Sequence, residues 1–172
     1  MTINIENTKR IIQEYLIDEG LFKKKHDGPN ITFGYQFTYP PGPKGHPLSV
    51  VNPKGKDFIL LTAGIQISEP YIKALNSLKN DKKLQFFKEL RKFLVLKNIF
   101  FRIDGQNYRY EIFDQIFLKK DGSVSKNTFF RSIRYLFNCT QYSTLILDDF
   151  CSGHIKNVDN SKIIGDGYSF YT

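Results

Sequence analysis

Large apolar and small polar residues alternate from Ile31 to Tyr39. Ile31, Phe33, Tyr35, Phe37 and Tyr39 take one parity, and Thr32, Gly34, Gln36 and Thr38 the other. A strand points successive side chains to opposite faces, so this stretch predicts a sheet strand with one aromatic face. A connection dense in Pro and Gly, Pro40 to Pro47, leads to a short strand near Leu48–Val51 and a turn at Asn52-Pro53-Lys54-Gly55. Phe58 to Ile67 is apolar at both parities, the mark of a strand covered on both sides. Ile99–Asp104 and Asn107–Leu118 predict a hairpin around Gly105-Gln106, with glycine where a type II′ turn needs it. That register pairs Phe101 with Tyr110 and Ile103 with Tyr108, and sets Arg102 beside Arg109, with Asp104 and Glu111 on the diagonals. Asp114 then falls on the apolar parity while Phe113 and Phe117 fall on the polar one. Either a bulge switches the faces or the second face is covered as well.

Helical spacing fills the intervals. Asn7 to Leu21 carries Ile11, Ile12, Tyr15 and Leu16 on one face, with Asn7 as N-cap and Gly20 as stop. Lys23–Asn30 reads as a basic loop. Ser68-Glu69-Pro70 opens a helix with Tyr71, Ile72, Leu75 and Leu78, and Asn80-Asp81 caps another with Leu84, Phe87, Leu90 and Leu94. Ser125 caps the last strong helix, whose core face is Phe129, Phe130, Ile133, Leu136 and Phe137, with Val124 and Phe129 at the spacing of a hydrophobic staple. Helix resumes across Tyr142–Phe150, and periodicity vanishes from Cys151 onward. The expectation is one α+β domain over residues 1–172. It has an antiparallel five-stranded sheet, helices packed on one face, the order αβββααββα and an irregular tail at 151–172.

The 172 residues suffice for a core without metal or disulfide support, since a chain of this size buries about 70% of its unfolded surface. With 41% hydrophobic and 24% charged residues, the composition is that of a globular protein rather than a disordered one. No apolar run approaches a membrane span, and Met1–Arg10 lacks the apolar middle of a signal peptide. A cytoplasmic location is expected, with the two cysteines, Cys139 and Cys151, as free thiols. The net charge of +8 raises a polyanion partner. The first three strands, drawn as a meander, gather Lys23, Lys24, Lys25 and His26 with Lys54 and Lys56 at one end of the sheet. These are the candidate anion-binding residues.

Catalytic chemistry is sparse. Cys151 and His154 have a ligand-like spacing, but no second pair stands beside them, and His26 and His46 lie far off in sequence. Cys139 has no histidine nearby to make a thiolate. No nucleophile elbow, phosphate loop or metalloprotease motif occurs. No catalytic, cofactor or metal residue is therefore assigned, and the expectation is a protein that is not an enzyme. Asp114, on the wrong parity, is the one carboxylate singled out.

The Gly42-Pro43-Lys44-Gly45-His46 loop, after a helix and within three strands, resembles the Gly-Pro-x-His loop of the double-stranded RNA-binding domain. Where that family opens its second helix with lysines, this chain has Ser68-Glu69-Pro70-Tyr71-Ile72, so the phosphate grip is missing. The element order to about Phe150 resembles the fold of type III secretion chaperones. The Tyr39-Pro40-Pro41-Gly42-Pro43 connection and the Ile- and Lys-rich composition resemble an archaeal family of uncharacterised proteins on that fold. The resemblance implies a dimer that works by binding other proteins. Helices on one face would leave Phe58, Leu60, Phe100, Phe113 and Phe117 on the other, a patch that monomers seldom expose. A second copy, a partner's segment or the chain's own Ile155–Tyr171 could cover it.

Overall fold

In the computed structural model, residues 3–152 are described. The order is α1 (Ile5–Asp18), β1 (Phe22–Lys25), β2 (Ile31–Tyr39), β3 (His46–Pro53), β4 (Phe58–Gln66), α2 (Glu69–Ser77), α3 (Asn80–Leu96), β5 (Phe100–Asp104), β6 (Arg109–Phe117) and α4 (Lys126–Cys151). The strands form one antiparallel sheet in the order β1-β2-β3-β4-β6-β5. The α+β class and the antiparallel sheet match the expectation. The strand count is six rather than five, because the basic segment Phe22–Lys25 is a strand and not a loop. Its lysines hid it, since a run of like charges has no alternation to read. They suit it, because an edge strand studded with lysine resists pairing with other chains.

One face of the sheet carries the helices. α1 packs on β1 and β2, α4 lies along β4 and β6, and α2 and α3 brace α4 from the side. Tyr35, Phe37, Leu48, Val50, Ile59, Leu61, Ile65, Tyr110 and Ile112 enter that core from the strands, meeting Ile12, Leu16, Phe86, Leu90, Phe129, Ile133 and Leu136 from the helices. Gly20, at φ +65, ends α1 in the left-handed region as expected, but the cap is Asn4, whose Oδ1 accepts the Asn7 N–H at 3.1 Å. In α3 the buried stripe is Phe86, Leu90 and Leu94, and Leu84 is exposed. Two offsets on α3 satisfy helical spacing, and packing against α4 selects between them.

The β5–β6 hairpin is longer in its turn than the sequence suggested. Phe101 pairs with Ile112, Arg102 with Glu111, Ile103 with Tyr110 and Asp104 with Arg109, a shift of two residues along β6. The Asp104 carboxylate sets this turn. It accepts the Asn107 N–H at 3.1 Å, Asn107 Nδ2 at 2.8 Å and Arg109 Nε at 2.9 Å, and these bonds, Asn107 first, hold its pKa below the usual carboxylate value. A shift of two keeps every side chain on its face, and it places Arg102 opposite Glu111 instead of Arg109. β6 contains no bulge: its pairing with β4 runs unbroken from Phe58–Phe117 to Gln66–Arg109. Ile31, by contrast, leaves the aromatic row of β2. The register shifts between Ile31 and Phe33 and turns Ile31 to the opposite face, beside Val51 and Leu60.

α4 is one helix from Lys126 to Cys151, with no break before Tyr142, and the expected start of the tail at residue 151 falls on its last turn. Ser132, Thr140, Ser143 and Thr144 interrupt its apolar pattern yet are buried. Three of them return their hydroxyls to the helix itself: Thr140 to Leu136 O at 2.9 Å, Ser143 to Thr140 O at 2.6 Å and Thr144 to Gln141 O at 2.7 Å. A polar group bonded within its own helix can be buried without large cost.

Two features of this core make measurable claims. Tyr110 and Ser143 are fully buried and share a hydrogen bond of 2.8 Å between sheet and helix. Ser143→Ala strands the phenol OH and is expected to cost about 1–3 kcal/mol, whereas Tyr110→Phe leaves Ser143 its carbonyl and costs about 1 kcal/mol or less. Urea unfolding measures both, and equal costs would contradict this account. His46 anchors the proline-rich connection on α4 through Gln141 and the Phe137 ring, whose centroid lies 5.5 Å away. Burial pushes the His46 pKa below its ordinary 6.5. The unfolded chain therefore takes up this proton first, so the contribution is present above 6.5 and lost as pH falls from there to the folded value. The melting temperature should drop over that window, and His46→Gln should flatten the drop.

Candidate functional site

The candidates lie on the sheet's outer face, along its β1 edge, at one end of the sheet, within α4 and where β6 meets α4. On the face away from the helices, Ile31, Val51 and Leu60 form a small buried cluster with Phe58 and Phe113 packed against it. The rings extend outward in pairs. Phe58 meets Phe117 edge to face at 5.9 Å, and Phe100 stacks on Phe113 at 5.4 Å with 13° between planes. The structure thus gathers all five candidate interface residues on one face. Leu60 is buried, Phe58 and Phe113 are half-buried, and Phe100 and Phe117 stand 53% and 67% exposed. The segment Ile155–Tyr171, the alternative cover for this face, lies outside the described residues, as does His154.

The lysine set divides. Lys54 N donates to Asn30 O at 2.9 Å, which draws the turn after β3 against the loop after β1, so Lys25, Lys54 and Lys56 share one end of the sheet. Asp27 and Asp57 are exposed at the same end and dilute its charge. Lys23 and Lys24 run back along the edge strand, with Lys24 opposite Gln36. His26 is buried, with its backbone N–H bonded to Gly34 O at 2.9 Å, so little of it is left for a ligand to reach. That close approach also explains Gly34, where a Cβ would lie 2.8 Å from the His26 carbonyl oxygen.

Both cysteines are free and buried. Burial raises each thiol above its usual value, Cys151 to about 11, which keeps them as unreactive thiols. Among the described residues no group of His, Cys, Asp and Glu is placed to hold a metal ion, and no helix is long and apolar enough to cross a membrane.

Asp114 keeps its place on the helix-covered face. Its carboxylate accepts the Ser132 hydroxyl of α4 on one oxygen and the backbone N–H of Gln115, at 2.9 Å, on the other. Around it opens a cleft of about 510 Å³ between the end of β6 and α4, lined also by Arg131, Ser132 and Tyr135. Tyr135 donates its OH to the carbonyl of Lys97 at the end of α3, and burial raises its pKa. Sequence reasoning singled out Asp114 but missed this cleft. Its signal was present: a serine, Ser132, inside the apolar stripe of α4 at the level of a carboxylate on the apolar parity of β6.

Comparison with known proteins adds a family and a fold. Residues 8–147 match the family described as an uncharacterised conserved protein, DUF2299. An uncharacterised protein from Methanothermobacter thermautotrophicus superposes with a TM-score of 0.75 at 22% identity, covering 84% of this chain and 99% of that one. At that identity the likeness concerns the fold alone. A chain of the ExsC–ExsE complex covers 84% of this chain and 97% of its own at 13% identity, with a TM-score of 0.49 that is too loose to carry an argument. No curated protein matches.

Proposed function

This chain belongs to the DUF2299 family of uncharacterised conserved proteins, and we propose that it is a cytoplasmic, non-catalytic binding module that pairs with a second copy of itself and holds a protein partner in the manner of a chaperone. The observation that carries this reading is the aromatic strip on the helix-free face. Phe100 and Phe117 remain more than half exposed although each sits against a partly buried ring. Exposed aromatic side chains in a row give a self-complementary contact its apolar centre. The buried thiols and the structural use of Tyr110, Ser143, Tyr71 and Asp148 argue against a reactive centre, since each hydroxyl already bonds a neighbouring element.

Sedimentation at two protein concentrations is expected to show a dimer. Phe117→Asp and Phe100→Asp are the variants to use, because exposed positions change stability by only about 0.5 kcal/mol, whereas half-buried Phe113 would confuse folding with assembly. Both should yield monomers that keep the native circular dichroism, with the melting temperature falling only by what the lost pairing contributed. A mass unaffected by either change removes the proposed contact.

A second reading, binding of nucleic acid or another polyanion, draws on the meeting of Lys25, Lys54 and Lys56 at one end of the sheet. It expects oligonucleotide affinity that falls steeply with added salt and is lost in Lys25→Glu and Lys54→Glu. Absence of binding at low salt rejects it.

A further inference from the structure

β5 is shorter than the strand it borders. It pairs with β6 only as far as Phe113, while β4 follows β6 on the other side to Phe117. Residues 114–117 of β6 therefore have no strand on their outer side among the described residues. Antiparallel pairing alternates the direction of backbone groups along a strand. Leu118 N donates to Asp57 O at 2.9 Å, so even-numbered positions of β6 face β4, and the N–H and C=O groups of Gln115 and Phe117 face the open side. The cleft beside α4 lies along this edge. The Asp114 carboxylate in it takes the Gln115 N–H that a neighbouring strand would otherwise use.

Charge defines what would fit. Arg131 lines the cleft, is exposed and forms no ion pair among the described residues. Lys97 stands at the end of α3 where Tyr135 closes the cleft, and Lys119 and Lys120 follow Leu118 directly. Both oxygens of Asp114 are already engaged. Asp57 and Asp121 stand near the end of β6 as well, but Arg131, Lys97, Lys119 and Lys120 outnumber them, on a chain of net charge +8.

We propose that the open edge of β6 at residues 114–117 is a docking site for an extended acidic segment of a partner protein, which adds as a strand in line with β5, displaces Asp114 from the Gln115 amide and pairs an acidic side chain with Arg131. The added strand would span about 13 Å of β6 at the usual rise of a strand. Backbone bonds to Gln115 and Phe117 supply the attachment, and alternate side chains face the cleft and the outer aromatic strip. The inference rests on the protein-binding half of the function proposed above and is independent of the dimer.

The test uses a fluorescein-labelled peptide of alternating Glu and Val, the same peptide N-methylated at alternate amides, and labelled single-stranded DNA. Anisotropy should show saturable binding of the first peptide, weakened about tenfold, the equivalent of about 1.4 kcal/mol, by N-methylation and by Arg131→Glu. Asp114→Ala should strengthen it several-fold by removing the competing carboxylate, and Asp114→Val, which also lacks an acceptor and suits a strand, serves if the alanine variant unfolds. Amide exchange should slow at Gln115 and Phe117 on adding peptide but not at Ile116, which faces β4. An N-methylated peptide that binds as well as its parent, an unaffected Arg131→Glu, or DNA that binds more tightly through the same arginine would each overturn the proposal. Sedimentation of the same samples separates the two ideas. A monomer that binds the peptide sinks only the dimer, and a dimer that ignores the peptide sinks only this site.

Discussion

The unbroken pairing of β4 with β6 is the constraint on which the molecule turns. It joins the meander β1–β4 to the C-terminal hairpin across an interval containing two helices, and it does so without a bulge from Phe58–Phe117 to Gln66–Arg109. Because side chains alternate strictly along such a ladder, fixing one pair fixes the face of every other. Ile112 and Tyr110 go beneath α4 with Ile59, Leu61, Ala63 and Ile65. Phe113 and Phe117 must then emerge on the far side, and Asp114 must stay beneath the helix.

The two notable environments follow from that single register. On the far side, Phe58 and Phe117 face each other across the β4–β6 pair, and Phe113 stacks on Phe100 across the β5–β6 pair. On the helix side, Asp114 is obliged to find partners where its neighbours are apolar, and it finds Ser132 and the Gln115 amide. A carboxylate so placed would be costly without such bonds. The sheet's edges are treated in opposite ways. β1 is lined with lysines, which oppose further pairing, while β5 stops short and leaves the last residues of β6 bordered by a cleft. The basic residues that at first suggest a polyanion surface therefore have a structural use at one edge, and the open ladder lies at the other.

The helix contacts repeat this economy. α4 spans the sheet with hydroxyl-bearing residues on its buried face, bonded within the helix or across to β6, Ser143 to Tyr110 and Ser132 to Asp114. Tyr71 of α2 ties in through Asp148 at 2.9 Å. Such bonds fix the helix at one height over the sheet, where apolar packing alone would tolerate sliding.

Alternation was enough to locate β2, β4 and β6 and to assign the faces of Phe33, Tyr35, Leu61 and Phe117, because period-two patterning is a local property written in consecutive residues. Caps such as Ser125 and stops such as Gly20 were legible for the same reason. What could not be read depended on partners distant in sequence. The lysines of β1 become a strand only because β2 offers them an edge. The hairpin turn lengthened because the Asp104 carboxylate collects Asn107 and Arg109. The stripe of α3 was chosen by α4, and the buried hydroxyls of α4 looked like a break until their acceptors were known. Asp114 was visible as an anomaly, yet only the approach of Ser132 and the short reach of β5 turned it into the floor of a cleft. Local periodicity thus determined which segments are strands and helices and which way they face. Their mutual distances, and with them every shared edge, pairing and cleft, were decided by the tertiary structure, since hydrogen bonds and packing between remote segments leave no periodic mark in the chain.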